Sequence, residues 1–249
     1  TNASLFTLKK LRSFKKLKLD AIAISLDGSN SKIYNRIRCK DKKTFEKVIK
    51  NIKLAKKLGF YTKVNTVVFQ SNLHDLPNIA GLCIKLKLDE FGIYYFTPIG
   101  RGSREEELAV EPIKWLNFIR KKLKPFSNKL KISLEFPLIE KKYYNKSLGC
   151  IANAEQSHLQ ILPNGNTYPC AILASYGKAV ANLKKQSIKE IWQNKKLWKK
   201  YWQEVFTLFK NLRCGDSCVN FNVFNIKNYK EKGYKFICPI RKFNLKEVK

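Results

Sequence analysis

Three short apolar runs, separated by stretches of helical periodicity, limit what this chain can fold into more than any other feature. Ala21-Ile22-Ala23-Ile24-Ser25-Leu26 ends in Asp27-Gly28, Thr62 to Phe69 is rich in β-branched residues, and Phe91 to Phe96 ends in Thr97-Pro98-Ile99-Gly100-Arg101-Gly102. Runs that are apolar throughout suit strands buried on both faces, as in a parallel sheet. Between the first two, Phe45, Val48, Ile49, Ile52 and Ala55 form one stripe over Lys42 to Leu58; lysines cover the other face and Gly59 stops the helix. Between the second and third, Asp75 is placed to cap a helix entering through Leu76-Pro77, with Ile79, Leu82, Cys83 and Leu86 on one side. Strand, helix, strand, helix, strand is the order of right-handed parallel crossovers, so the expected fold class is α/β. Functional residues in such folds gather in the loops that leave strand ends. Here those loops carry Ser25 and Asp27, Gln70-Ser71-Asn72, and Pro98-Ile99-Gly100.

The last third of the chain reads differently. Five of the seven cysteines lie there: Cys150, Cys170, Cys214, Cys218 and Cys238. Thiolates gathered this way hold a metal or an iron–sulfur cluster, or else they form disulfides. No apolar run reaches the roughly 18 residues of a membrane span. The opening residues also lack a basic start followed by an apolar stretch. A cytoplasmic, reducing compartment is therefore the expected setting, and it disfavours disulfides. By spacing alone, a zinc site and an iron–sulfur cluster remain equally open. Around these cysteines, His158 to Leu162 and Thr167 to Cys170 flank the hairpin signal Pro163-Asn164-Gly165, and Ser187-Ile188-Lys189-Glu190 reads as a capping box. A further helix is expected from Lys196 to about Leu212, another over Leu5 to Leu17, and residues 103 to 145 read as a joining region with a helix at Pro112 to Leu123 and a strand at Lys131 to Phe136.

Fifty Lys+Arg against nineteen Asp+Glu gives a formal charge of +31. A nucleic-acid binder needs its cations in one stripe, whereas these lysines are spread along every expected helix, so nucleic acid is not the expected partner. Cys83 falls on an apolar stripe and reads as core, and neither His74 nor His158 has a partner at catalytic spacing. The chain contains no methionine and opens directly on Thr1-Asn2-Ala3, which reads as the C-terminal part of a longer protein.

Several of these pieces, in order, resemble the radical S-adenosylmethionine (SAM) enzymes. They are Ile24-Ser25-Leu26-Asp27-Gly28, Tyr34-Asn35-Arg36-Ile37-Arg38, Phe45, Val64-Asn65-Thr66-Val67-Val68 with Asn72, and Pro98-Ile99-Gly100-Arg101-Gly102. Thr1-Asn2-Ala3 resembles a Thr-Asn-Gly strand end of that family, with alanine in place of glycine. Gly165 to Cys170, Ala181-Asn182-Leu183 and Ser187-Ile188-Lys189-Glu190-Ile191-Trp192 resemble the auxiliary-cluster extension called SPASM, or its shorter relative, twitch. The Cys-x3-Cys-x2-Cys that holds the SAM-binding cluster in that family is absent from these residues.

The resemblance implies a definite architecture: residues 1–103 as the C-terminal part of a partial (βα)6 TIM-like barrel, 104–145 as a joining region, and 146–249 as a small α+β cluster-binding domain. It implies that Ser25, Asp27, Arg38 and Asn65 face SAM. It also implies that Cys150, Cys170, Cys214 and Cys218 hold one auxiliary 4Fe–4S cluster, with Cys238 as a fifth or alternate ligand. The implied activity is reductive cleavage of SAM to a 5′-deoxyadenosyl radical that takes hydrogen from a peptide or small-molecule substrate. That activity needs a second 4Fe–4S cluster and a reductant such as flavodoxin or ferredoxin. Two other readings stand beside it: a zinc-stapled basic module for nucleic acid, and an iron–sulfur fragment that only carries electrons.

Overall fold

The computed structural model describes residues 1–38, 42–98, 102, 104–135, 138–140, 158–175, 177–208, 231–236 and 242–247. Contacts divide the chain into two compact units, Thr1–Phe96 with Glu107–Phe136 and Lys242–Lys249, and Thr97–Glu106 with Pro137–Arg241. Residues 107–136, expected to join two domains, thus belong to the first unit, and so does the end of the chain.

In the first unit, α1 (Leu8–Lys16) is capped by the Thr7 hydroxyl and leads into β1 (Ala21–Ser25). Then follow α2 (Ser31–Arg38), α3 (Lys42–Lys57), β2 (Tyr61–Val68), α4 (Leu76–Lys85), β3 (Glu90–Tyr95), α5 (Pro112–Phe118) and β4 (Lys131–Glu135). The four strands are parallel in the order β1-β2-β3-β4, and Lys242–Asn244 closes the sheet antiparallel to β4. Alternation along β2 sorts its side chains. Thr62, Val64, Thr66 and Val68 are buried on one face, while Tyr61, Lys63, Asn65 and Val67 point to the other. Helices α3 and α4 pack on β2 and β3 with the buried stripes Val48, Ile52, Ala55 and Leu76, Ile79, Ala80, Cys83. The expected strands and crossover helices are present. Helix α2 was not foreseen; Asn30 begins it by accepting the Ile33 N–H at 3.1 Å.

Thr1 extends the sheet beyond β1 in the parallel manner. Its N–H donates to Ala23 O at 3.2 Å, and its carbonyl accepts the Ser25 N–H at 2.8 Å. Ala3, just after it, adopts φ 55°, in the left-handed region that favours glycine. Asn51 of α3 holds that turn by donating to Ala3 O at 2.7 Å.

At the amino ends of the strands, Lys63, Glu90 and Lys131 share one register row. Glu90 accepts from Lys63, from the Ser133 hydroxyl at 2.6 Å and from the Tyr61 hydroxyl at 2.9 Å, and lies 3.0 Å from Lys131 Nζ. Burial alone would raise its carboxyl, but the bonds from Lys63, Ser133, Lys131 and Tyr61 outweigh burial and hold it down at about 2. A folded value below the unfolded 4.5 gives stability that is present above pH 4.5 and lost as pH falls toward 2. Glu90→Gln is expected to flatten the acid limb of the stability curve across that window, read as urea midpoints at a series of pH values. An acid limb as steep as the unsubstituted protein's would count against this network.

In the second unit, β5 (Leu138–Glu140) pairs antiparallel with a strand at Tyr234–Phe236. A small antiparallel sheet holds β6 (Gln160–Ile161), β7 (Asn166–Tyr168) and β8 (Ala181–Asn182), with Gly165 at φ 86° making the expected hairpin turn. Helix α6 (Ala171–Ser175) follows β7. The capping box is present: Ser187 Oγ accepts the Glu190 N–H while Glu190 accepts the Ser187 N–H at 2.7 Å, opening α7 (Ile188–Gln193) before α8 (Lys195–Leu208). Cys170, Ile172, Leu173, Val180, Ile191, Trp198, Tyr201, Trp202 and Val205 form this unit's core.

Candidate functional site

The parallel register brings Ser25, Asn65, Gly92 and Ser133 into one row across the sheet. Asn65 Oδ1 is buried with no hydrogen-bond partner, a costly state for a carbonyl oxygen. Gly92 makes room for it: a Cβ there would lie 2.5 Å from Asn65 Oδ1 and 2.5 Å from Lys63 Cε. An unpaired acceptor beside a half-buried serine is a place where a ligand's hydroxyl or amino group completes the hydrogen bonding.

Just past β1, Asp27 is 2% exposed and accepts the Val67 N–H at 2.9 Å. Its other oxygen lies 2.5 Å from Arg38 Nε, an ion pair held by charge, because the Nε–H is not aimed at that oxygen. Burial pushes the Asp27 carboxyl up, against the Arg38 charge and the Val67 N–H. Asp27 is thus enclosed, whereas the Arg38 side chain stays 32% exposed. Tyr34 backs the pair, fully buried and packed on Phe45 with ring centroids 5.6 Å apart. Of the third strand end, Phe96 packs against Phe69 with tilted rings, centroids 5.0 Å apart, while Ile99, Gly100 and Arg101 lie outside the described residues.

Four of the five candidate metal ligands, Cys150, Cys214, Cys218 and Cys238, also lie outside the described residues. Cys170 is described. It is buried at the start of α6, where its carbonyl accepts the Ala174 N–H at 3.1 Å and its Sγ accepts the Leu173 N–H at 3.5 Å. Sulfur thus occupies the N-cap role usually taken by a serine or aspartate oxygen. A backbone N–H aimed at sulfur is also how a protein steadies a cluster-bound thiolate, so the geometry fits a cluster ligand. Among the described residues no three His, Cys, Asp or Glu side chains gather as a metal site.

Together the parallel sheet and the polar groups at its strand ends define an α/β protein of the partial-barrel kind. Residues 1–83 match the model of the Radical SAM superfamily, and residues 150–220 match SPASM, an iron–sulfur cluster-binding domain. The chain belongs to the radical SAM proteins that carry a SPASM domain, families that bind 4Fe–4S clusters and SAM. It is similar to the AdoMet-dependent heme synthase of Methanosarcina barkeri (strain Fusaro / DSM 804), at 21% identity over 80% of this chain and 61% of the relative. It is also similar to the antilisterial bacteriocin subtilosin biosynthesis protein AlbA of Bacillus subtilis (strain 168), at 25% identity over 88% of this chain and 47% of the relative. The chain thus spans roughly half the length of the curated relatives it matches. The fold is that of Streptococcus suis SuiB bound to S-adenosylmethionine, with TM-score 0.62 and 17% identity over 80% of this chain and 48% of that one. It is also that of anSMEcpe with bound AdoMet and Cp18Cys peptide, with TM-score 0.59 and 16% identity over 88% of this chain and 65% of that one.

Proposed function

We propose that the protein carrying this chain is a radical SAM enzyme that modifies a peptide. Reductive cleavage of SAM supplies a 5′-deoxyadenosyl radical, which takes a hydrogen atom from the substrate. Within this chain, Ser25 and Asn65 hydrogen-bond SAM, and Arg38, oriented by Asp27, pairs with its carboxylate. The observation that carries this reading is the unpaired Asn65 Oδ1, in register with Ser25 and close in sequence to the Asp27-anchored Val67. Cys170, with Cys150, Cys214 and Cys218, holds an auxiliary 4Fe–4S cluster, and Cys238 is an alternate ligand. That cluster binds the substrate or accepts its electron. The peptide substrate is supported by relatives named as a bacteriocin biosynthesis protein and a PqqA peptide cyclase. An acidic reductant such as flavodoxin or ferredoxin suits a chain of charge +31, and a reducing, cytoplasmic setting suits thiolate ligands. Among the described residues no helix is long and apolar enough to cross a membrane.

The test is anaerobic reconstitution of the protein from its whole reading frame. Iron, sulfide and zinc are measured, and then 5′-deoxyadenosine formed from SAM with dithionite. Iron and sulfide in equal amounts, about four of each per cluster, with 5′-deoxyadenosine produced, are expected. About one zinc per chain without sulfide would replace this reading with the zinc-stapled module.

A further inference from the structure

The turn that leaves β1 is moulded by the segment that follows β2. Asp75 is fully buried, and both of its oxygens serve Ser29: the backbone N–H reaches Oδ2 at 2.6 Å and the hydroxyl reaches Oδ1 at 2.6 Å. Asn78 donates to the same Oδ1 at 3.0 Å. Asn72, also fully buried, donates to Asp27 O at 3.1 Å and to Val67 O at 3.0 Å. The Thr66 hydroxyl donates to Leu26 O at 2.5 Å. Gly28 has no space to spare, since a Cβ would meet Tyr34 N at 2.5 Å. Residues 26–29 are thereby fixed from several directions, and α2, which starts two residues later, presents Arg38.

Asp75 stands at the N-cap position of α4 yet makes no capping bond. Its carboxylate gives up a capping contact and is instead buried among neutral donors, an environment that costs a charged group free energy. A residue that forgoes its local role to grip a backbone 46 positions away has a task there. We propose that Asp75 is a positioning residue for SAM: through Ser29 it sets the turn that places Ser25 and Arg38. This rests on the reading above that Ser25 and Arg38 face SAM.

The test is SAM affinity by equilibrium dialysis on the protein from its whole reading frame, which needs no turnover. Asp75→Ala is expected to weaken binding about tenfold, as when a pair of charge-assisted hydrogen bonds is lost. Ser29→Ala should weaken it less, and the double variant should bind no worse than Asp75→Ala, because the Ser29 hydroxyl then has nothing left to meet. Asp75→Asn, which keeps an oxygen for the Ser29 N–H, should recover most of the affinity. Cys83→Ala, on the buried face of α4, serves as the control: it lowers the melting temperature through a cavity yet should leave SAM affinity unchanged. Equal losses in Cys83→Ala and Asp75→Ala, or no loss in Asp75→Ala, would overturn the proposal alone. An unsubstituted protein that bound no SAM would overturn the reading beneath it, and the proposal with it.

Discussion

Cys170→Ala is expected to strip most of the iron from the last third of the protein, and Cys170→Ser to do nearly the same. The pair of variants separates two jobs held by one atom. Sγ caps α6 through the Leu173 N–H, and its side chain lies in a core with Ile172, Leu173, Trp198 and Trp202. Alanine removes the cap, at about 1 kcal/mol, along with the ligand. Serine restores an N-cap oxygen of nearly the same size but offers iron a hard hydroxyl where a soft thiolate is wanted. If sulfur is a ligand, the serine variant keeps the fold and loses the iron, sulfide and visible absorption together. Full iron in Cys170→Ser would remove Cys170 from the ligand set and leave it a capping residue.

The second large effect is at Arg38. Arg38→Ala is expected to abolish measurable SAM binding and also to lower stability, because Asp27, 3% exposed, would keep a buried charge with no cation beside it. Breaking such a pair costs about 3 kcal/mol, somewhat less where one partner is partly exposed as Arg38 is. Asp27→Asn added to Arg38→Ala removes the stranded charge, so stability should return in chemical denaturation. SAM binding should not return, since the group that meets the carboxylate is still missing. Recovery of both would recast the pair as scaffolding; recovery of neither would mean that the loss of stability does not come from the stranded charge.

Much of the first unit was legible because hydrophobic spacing reports burial directly. The stripe of α3 and the β-branched run of β2 can each be read within their own element, although they pack on one another. What escaped were features whose partners lie far along the chain. Asp75 has the sequence signature of a helix cap, and only the fold brings Ser29 to it. Glu90 opens an apolar run, and its partners Tyr61, Lys63, Lys131 and Ser133 come from two other strands. Helix α2 was hidden because it has only eight residues, and it is begun by Asn30. Ala3 shows the reverse case. The resemblance marked a position where glycine is usual, and the backbone there keeps the glycine conformation while carrying a methyl group. The cysteines pointed to a metal or a cluster, and only the resemblance favoured a cluster; the choice of ligands depends on loop geometry that spacing does not contain.

The Lys242–Asn244 strand beside β4 carries a consequence for how the protein is made. All of the second unit but Thr97–Glu106 is inserted between β4 and that strand in sequence. During synthesis β1 to β4 are therefore made while this bordering strand is still missing, for as long as the ribosome works through the insert. For that interval the β4 backbone offers unpaired N–H and C=O groups to any other nascent chain, the usual route to edge-to-edge association. Slow translation or stalled metal loading within the insert should thus appear first as aggregation of the sheet that precedes it.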